Sequence, residues 1–262
     1  MLHTEPKPLV ITGVASGIGA DTCRRLAAAG HVLVGVDRTP VSDFPGQFIV
    51  GDLASAAGIE AVVSQLPQSL GGLVNIAGVP GTAPMDVVLA VNVFAVRDLT
   101  AACLPRIEEG GCVVNLSSSV ADDWRTHSAA VRELAFCPRE DQQRAQQLAG
   151  DASYLWSKRA VRLLTEYFAA QQVGRRIRVT SVSPGPVQTP ILDDFRQDHG
   201  QDKVNGAGEL LGRFGNPEDI SAVVEFLVGE QGRWVNGTDI RVDGGLGAWR
   251  GEQAAGQLQG RS

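Results

Sequence analysis

A glycine-rich segment near the start of the chain most constrains the possible fold. Residues 8–12 form a short apolar run that stops at Gly13, and a helical pattern then continues to Gly30. Strand, glycine turn and helix together predict a dinucleotide-binding loop. Gly13 would make the tight turn, Gly17 would let backbone approach a pyrophosphate, and Gly19 would let helix pack on strand. The spacing is Gly-x-x-x-Gly-x-Gly, so a glycine-rich loop without function stays an alternative.

Further apolar runs alternate with helical patterns along the rest of the chain. The runs are residues 31–36, 47–50, 73–76, 112–116, 177–182 and 238–242, and the main helical patterns are residues 55–66, 87–107, a stretch that opens at Tyr154, and 217–228. This order predicts an α/β fold: a single Rossmann-type, doubly wound parallel sheet with helices on both faces. The length allows one large domain, so we expect residues 1–262 to form a single dinucleotide-binding and catalytic unit.

Composition excludes several classes of protein. The chain is 44% hydrophobic and 20% charged, which is ordinary for a globular protein. A net charge of -6 and the lack of a dense Lys/Arg block argue against nucleic-acid binding. We expect no membrane span, because no apolar run in the sequence approaches the ~18 residues that one needs. The cysteines form no Cys-x-x-Cys pair and the histidines lack ligand spacing, so we expect a cytoplasmic location and no metal site.

Polar residues at the predicted strand ends indicate how a dinucleotide would bind. Asp37 could accept hydrogen bonds from both hydroxyls of the adenosine ribose, and its charge would repel a 2'-phosphate, which favours NAD over NADP. Arg38 could instead bind that phosphate through its guanidinium. A surface Asp–Arg turn without a role in binding is a further alternative. Asp52 is placed to meet the adenine amino group, and the small residues in 75–78 would let backbone lie against the cofactor.

Tyr154 and Lys158 stand four positions apart, on one face of a predicted helix. An ammonium one turn away favours the phenolate and lowers the tyrosine pKa from its usual ~10. Such a tyrosine could exchange a proton with an alcohol or carbonyl oxygen near neutral pH. The alternative is a tyrosine packed by its ring beside a solvated lysine.

Two further polar residues are candidates for the site. Ser118 follows the predicted fifth strand, and Asn92 lies inside a long apolar helix, where its amide needs partners.

Two long segments interrupt the alternation. In residues 120–152 the apolar period weakens and charge rises, and two short helices are predicted at 131–136 and 142–148. Residues 187–215 are too long for a simple connection and are predicted to form a substrate lid. The Gly- and Gln-rich end, residues 246–262, is predicted to be loosely ordered, although Trp249 could cover a site.

The chain resembles the short-chain dehydrogenase/reductase family along nearly its whole length. The residues that carry the resemblance are 12–19, Asp37, Asp52, 75–78, Asn92, Ser118, Tyr154 with Lys158, and Pro184 with Gly185. One departure is clear: in the family the catalytic serine usually lies a short loop before the tyrosine, whereas here the segment 120–152 intervenes. That insertion makes the chain most like the bacterial 3α-hydroxysteroid dehydrogenase/carbonyl reductases and the similar coniferyl alcohol dehydrogenases.

The resemblance implies hydride transfer between a nicotinamide and a substrate carbon. Tyr154 would be the general acid/base, Ser118 would hold the substrate oxygen, and Lys158 would bind the nicotinamide ribose. Asn92 would hold a water that links Lys158 to solvent. The implied cofactor contacts are Gly13, Ser16, Gly17, Ile18, Gly19, Asp37, Arg38, Asp52, Leu53, Asn75, Ala77, Gly78, Tyr154, Lys158, Pro184, Gly185, Val187 and Thr189.

The expected substrate is a secondary or benzylic alcohol, or its carbonyl partner, of ring-containing and mostly apolar character. The resemblance puts 3α-hydroxysteroids first and coniferyl-type alcohols second. Two other classes are alternatives: a methyltransferase, which has no need of Ser118, Tyr154 and Lys158, and an inactive binding protein, which would be expected to lack at least one of them.

We also expect a homodimer rather than the tetramer common in the family. The insertion would cap the Tyr154 helix within its own subunit, leaving the helix 217–228 and the strand around Ile240 to form the interface. Apolar residues recur at helical spacing on that helix, and they are Ile220, Val223, Val224 and Leu227. The alternative is that these four residues face the sheet of their own subunit.

Overall fold

The computed structural model describes residues 6–256 and contains a seven-stranded parallel sheet. The strands are β1 Leu9–Thr12, β2 Leu33–Asp37, β3 Gln47–Val50, β4 Leu70–Asn75, β5 Ile107–Leu116, β6 Arg178–Pro184 and β7 Asp239–Val242. Their order in the sheet is β3-β2-β1-β4-β5-β6-β7. Every residue of β1 and β6 is buried, as apolar runs covered on both faces require. The predicted doubly wound fold is confirmed.

Helices cover both faces of the sheet. They are α1 Gly17–Ala28, α2 Ala56–Gln65, α3 Met85–Leu89, α4 Val96–Cys103, α5 Ser128–Ala135, α6 Gln142–Ala149, α7 Ser153–Gln172, α8 Leu192–His199, α9 Gln201–Leu211, α10 Pro217–Val228 and α11 Leu246–Ala254. One apolar core lies under α2, α4 and α7, and a second lies under α1 and α10. Two covered faces explain why the strands read as continuous apolar runs.

The order of the strands places a crevice between β1 and β4. The chain runs outward from β1 to β3 and then returns to start β4 on the other side of β1. Thr12 lies in register with Asn75, so both strands end at the same edge. Ligands of open α/β sheets bind at this kind of switch point, outside the carboxyl ends of the strands.

The helix predicted at 87–107 is interrupted. Between α3 and α4, the six residues Ala90–Ala95 form a π-helix, which the apolar period did not reveal. The stretch Met85–Arg106 is long and apolar enough to cross a membrane by length and composition, and its most apolar 18-residue window has a mean hydropathy of 1.8. The expectation that no run approaches this length was therefore wrong. In this fold the stretch packs beside α7, with 67% of its most apolar window buried.

The insertion forms two helices, α5 and α6, close to the predicted positions. They pack on α7, where the Phe136 and Tyr167 ring centroids are 4.7 Å apart. At the start of the insertion, the carboxylate of Asp123 pairs with Arg159 of α7 through bonds of 2.9 and 2.5 Å. The Arg159 hydrogen bonds lower the pKa of Asp123. The insertion thus lies on the helix that it was predicted to cap.

Two expectations are corrected near the end of the chain. Residues from Leu246 onward were predicted to be loosely ordered, but they form α11, and Leu246 is buried. The carboxylate of Asp243 starts this helix by accepting from the backbone N–H of Gly245 and Gly247. Residues 257–262 lie outside the described part of the chain. The second correction concerns α10, whose apolar residues were predicted to pair with a second copy: Ile220, Val224 and Leu227 are buried against their own subunit, and Val223 is half-buried.

Candidate active site

The glycine turn after β1 leaves no room for side chains. Gly13 adopts φ +75°, and a Cβ there would lie 2.7 Å from backbone atoms of Ala77. A Cβ on Gly19 would lie 1.9 Å from the carbonyl oxygen of Gly13, so the helix is packed directly on the turn. Ser16 is the N-cap of α1, whose first backbone N–H groups are not used by hydrogen bonds within the helix. The turn therefore has the close packing that the sequence predicted.

Asp37 ends β2 beside this turn, as predicted. Its Oδ2 accepts a 3.0 Å hydrogen bond from the Ala15 N–H, and its Oδ1 accepts a 2.9 Å bond from the Thr39 N–H. The carboxylate is half-buried and Arg38 is exposed. A negative charge is thus fixed where the adenosine ribose of a dinucleotide lies in this fold.

The next strand ends differ in how they present their side chains. Asp52 is exposed, its Oδ1 accepts from the Ala54 N–H at 3.0 Å, and Leu53 is buried. Asn75 departs from the predicted cofactor contact because its side chain is buried within the sheet. Its Nδ2 donates to Thr100 Oγ1 at 3.0 Å and to Asn115 Oδ1 at 2.8 Å. Asn75 therefore joins β4 to its neighbours, and the following residues face the crevice.

Tyr154, Lys158 and Ser118 line one cavity at the carboxyl edge of the sheet. Lys158 Nζ lies 5.5 Å from the Tyr154 ring centroid and donates a 3.0 Å hydrogen bond to the carbonyl oxygen of Leu116. Burial lowers the pKa of Lys158 to about 8. Ser117 and Ser118 both line the cavity, and the Ser117 hydroxyl is engaged, because it donates to the carbonyl oxygen of Lys158.

Asn92 lies in the π-helical stretch and is buried behind Lys158. Its Oδ1 accepts from the Val79 N–H at 2.9 Å, and its Nδ2 donates to the Val79 carbonyl at 3.0 Å and to Ser157 Oγ at 3.3 Å. A Cβ on Gly78 would lie 3.3 Å from Asn92 Oδ1 and 3.7 Å from Lys158 Nζ. The Asn92 amide thus fixes the strip of backbone beside Gly78. π-Helical turns are frequent at functional sites.

The segment after β6 closes the cavity on its remaining side. The cavity lining includes Ile18, Gly78, Pro184, Gly185, Val187 and Thr189. A Cβ on Gly17 would lie 3.1 Å from Thr189 Cγ2, so the start of the predicted lid lies over the glycine turn. The same segment also reaches the loop after β4, because Thr82 Oγ1 donates a 2.7 Å hydrogen bond to Asp194 Oδ1.

A buried polar network that sequence reasoning missed lies behind Ser118. Arg162 of α7 is buried, and its Nη2 donates to the Ser118 carbonyl at 3.3 Å, Asp122 Oδ1 at 2.7 Å and Ser183 Oγ at 3.0 Å. It also lies 3.2 Å from Asp239, whose pKa is raised by burial. The only signal in the sequence was an arginine inside an apolar helical run, and its partners come from distant segments.

A roomier groove lies elsewhere on the molecule. Between α5 and α7 a surface groove of about 730 Å³ is lined by Trp124, Arg132, Glu166 and Tyr167. None of the predicted site residues lines it. We assign the active site to the cavity at the carboxyl edge of the sheet, because that cavity brings a hydroxyl, a phenol and a buried lysine together beside the glycine turn.

A dinucleotide fits the residues around this cavity. The close packing at Gly13 and Gly19 holds the N-terminus of α1 at the end of β1, where a pyrophosphate can bind, and the half-buried Asp37 carboxylate stands at the ribose position. The lining of the cavity with Tyr154 and Lys158 includes Ile18, which directly follows the glycine turn. The site therefore has the parts needed to hold both ends of NAD or NADP.

Comparisons with known proteins identify the family. The short chain dehydrogenase profile matches residues 7–130, and the profile described as Enoyl-(Acyl carrier protein) reductase matches residues 142–247. The coniferyl-alcohol dehydrogenase of a Pseudomonas species is 37% identical over 245 residues, covering 92% of this chain and 96% of that protein. The 3-alpha-hydroxysteroid dehydrogenase/carbonyl reductase of Comamonas testosteroni is 30% identical over 256 residues, covering 92% and 96%.

A solved structure agrees with these matches. The crystal structure of the 3-alpha-hydroxysteroid dehydrogenase from Pseudomonas sp., complexed with NADH, superposes with a TM-score of 0.78 at 30% identity. The alignment covers 93% of this chain and 98% of that chain. The chain therefore belongs to the short-chain dehydrogenase family, whose Rossmann fold binds NAD(P), and it is an oxidoreductase that acts on alcohols.

Proposed function

We propose that this protein is an NAD-dependent oxidoreductase that interconverts a ring-containing, mostly apolar alcohol and its carbonyl. The observation that carries the proposal is the convergence of Ser118, Tyr154 and buried Lys158 in one cavity beside the glycine turn. A methyltransferase would need none of these three side chains. The family membership also argues against that alternative.

In the proposed mechanism, Tyr154 moves the proton and Ser118 holds the substrate oxygen. During oxidation the Tyr154 phenolate accepts the proton of the alcohol oxygen, and during reduction the phenol returns it to the carbonyl oxygen. The Ser118 hydroxyl donates a hydrogen bond to that oxygen and fixes it beside Tyr154. The hydride chemistry would be supplied by a nicotinamide cofactor bound at this site.

Lys158 is proposed to act on Tyr154 and on the cofactor. Its ammonium favours the phenolate, because an opposite charge close by stabilises the ionised form. We also propose that Lys158 binds the hydroxyls of the nicotinamide ribose. Asn92 is proposed to hold a water that connects Lys158 to solvent, and its amide bonds to Val79 support a fixed backbone there.

The substrate class rests on the cavity wall and on the relatives. Apolar side chains make up much of the lining of the cavity that contains Tyr154, among them Ile76, Val79, Leu116 and Ile191. The matched relatives are named for a coniferyl alcohol and for 3α-hydroxysteroids. We therefore propose 3α-hydroxysteroids and coniferyl-type alcohols as the two candidate substrates.

A screen with NAD, followed by NADH absorbance, tests this proposal. The panel contains 3α-hydroxysteroids, coniferyl and benzylic alcohols, small secondary alcohols and sugar polyols. We expect turnover of a ring-containing alcohol. A result in which only small polar polyols or sugars are oxidised would rule out the proposed substrate class.

The protein is expected to prefer NAD over NADP. The Asp37 carboxylate is fixed by two backbone N–H groups, so it cannot easily turn away from a 2'-phosphate. Repulsion by one partly solvated charge should favour NAD over NADP by about 1–3 kcal/mol. We expect kcat/KM with NAD to exceed that with NADP, and Asp37→Ala to narrow the gap. A wild-type preference for NADP, supported by exposed Arg38, would refute the assignment.

We further propose a homodimer in the cytoplasm, where its buried cysteines would remain thiols. The interface would lie near α10, with exposed Phe226 and Trp234 in place of the buried residues first expected. Trp234 is 96% exposed, which is unusual for so large an apolar side chain. We expect light scattering at micromolar concentration to show a dimer and Trp234→Glu to yield monomers. A tetramer packed through α7 would contradict this arrangement.

A further inference from the structure

The insertion reaches the adenosine end of the site through one side chain, Arg139. This residue lies in the turn between α5 and α6, and its side chain is 13% exposed. Its Nη1 donates a 2.8 Å hydrogen bond to the carbonyl oxygen of Ala54, 85 positions earlier in the chain. Ala54 belongs to the segment 51–55, which follows β3 and contains Asp52. The insertion therefore contacts both ends of the crevice, since its other end begins beside Ser118.

The turn that carries Arg139 is held firmly on α4. Arg139 Nε donates a 2.9 Å hydrogen bond to Asp98 Oδ2. Arg97 donates from Nε to Asp98 Oδ1 at 2.7 Å, and from Nη1 to the Ala135 and Cys137 carbonyls at 3.2 and 2.7 Å. The position of the Arg139 guanidinium is thus set by α4 and the insertion, independently of segment 51–55.

The side-chain hydrogen bonds made within segment 51–55 are local. Asp52 Oδ1 accepts from the Ala54 N–H at 3.0 Å, and Ser55 Oγ accepts from the Gly58 N–H at 3.0 Å at the start of α2. These bonds shape the segment but do not tie it to α4. The bond from Arg139 does so, and a hydrogen bond from a charged donor to a half-buried carbonyl is stronger than a neutral one.

We propose that Arg139 is a positioning residue for the adenosine half of the cofactor. By holding the Ala54 carbonyl, it fixes the segment from which Asp52 meets the adenine, so that the insertion contributes to cofactor affinity. The inference rests on the proposed function and on the expectation that Asp52 meets the adenine amino group. The segment keeps two other anchors, the 2.9 Å hydrogen bond from the Gly51 N–H to the Asp37 carbonyl and the buried Leu53 side chain. Without Arg139 the segment loses its hydrogen bond to the insertion and gains mobility that must be lost when the cofactor binds, and that cost lowers the affinity.

Binding measurements on Arg139→Met test the proposal without relying on turnover. We expect the Kd for NADH, from fluorescence titration, and the Kd for AMP, from calorimetry, both to rise about tenfold, which is about 1.4 kcal/mol. The Kd for reduced nicotinamide mononucleotide, which lacks the adenosine, should stay unchanged. Arg139→Lys keeps the charge beside Asp98 and should show a smaller rise. If Arg139→Met does not fold, the same three Kd values are measured for Arg139→Lys and Arg139→Gln.

Arg144→Met is the matched control. Arg144 lies on α6 and pairs with Glu133 inside the insertion, so its loss should change none of the three affinities. An equal weakening of the mononucleotide and NADH by Arg139→Met would show general loosening and overturn the proposal. If Asp52→Ala lowers the affinity for AMP but Arg139→Met does not, the proposed role of Arg139 is refuted and the proposed function is retained. A wild-type protein that binds neither NADH nor AMP would refute the proposed function itself.

Discussion

Tyr154→Phe should lower kcat by about 1000-fold or more while leaving the Kd for NADH nearly unchanged. The substitution deletes the hydroxyl that moves the proton, and general acid–base catalysis by one positioned group contributes about 10²–10⁴-fold. The ring keeps its place in the cavity wall, near Lys158. The measurement combines turnover of the alcohol found in the substrate screen with fluorescence titration of NADH.

The chain supplies its own control for this substitution, because its other tyrosine lies on the same helix. Tyr167 packs on Phe136 and Phe168, away from the cavity. Tyr167→Phe should therefore keep wild-type turnover. Wild-type turnover in Tyr154→Phe would show that the proton transfer is assigned to the wrong residue, and a large loss of NADH affinity would show that the phenol mainly serves binding.

Lys158→Met should have two opposite effects: lower turnover with weaker NADH binding, and a higher free energy of unfolding at pH 7. Lys158 is 5% exposed, and burial lowers its pKa from 10.5 to about 8. The folded state therefore holds this proton less tightly than the unfolded state, which corresponds to at most about 3 kcal/mol of destabilisation. Methionine removes that cost but leaves the Leu116 carbonyl without its 3.0 Å bond. We expect a net gain of about 1–2 kcal/mol.

The lowered pKa of Lys158 also determines how the stability difference between the variant and wild type changes with pH. The destabilisation by Lys158 is complete below about pH 8 and disappears as the pH rises toward 10.5, because the unfolded lysine then also loses its proton. The stability difference between Lys158→Met and wild type, measured by urea unfolding, should therefore shrink between pH 8 and about pH 10. Lys203→Met, at an exposed position, is the control. A Lys158→Met variant that is less stable than wild type at pH 7 would contradict the burial cost.

Local chemistry explains why much of the site could be predicted. Gly13 lies at φ +75° against the backbone of Ala77, a place that a side chain would block. Tyr154 and Lys158 face one cavity because residues four apart on a helix lie on the same face. Asp37 follows the apolar run 31–36, so the end of that strand could be located from the sequence alone. In each case, a few neighbouring residues contain the whole signal.

The features that sequence reasoning missed depend on distant partners. Arg162 bonds to the Ser118 carbonyl and to Ser183, and these come together only when α7 packs beside β5 and β6. Asn75 was predicted to contact the cofactor, but its amide turns to Asn115 on the neighbouring strand. Helix α10 buries most of the apolar face that was expected to pair with a second copy. Periodicity shows that a face is apolar, and it does not show what covers that face.

Isotope transfer tests the central claim most directly. The protein is incubated with NAD and coniferyl alcohol in which both hydrogens of the carbinol carbon are replaced by deuterium, and in a second arm with a 3α-hydroxysteroid deuterated at the carbinol position. Mass spectrometry then follows the reduced cofactor. We predict that at least one alcohol yields NADH with one deuterium on the nicotinamide ring, and that Tyr154→Phe yields almost none. Reduced cofactor without deuterium, or no reduced cofactor from either alcohol, would contradict the account.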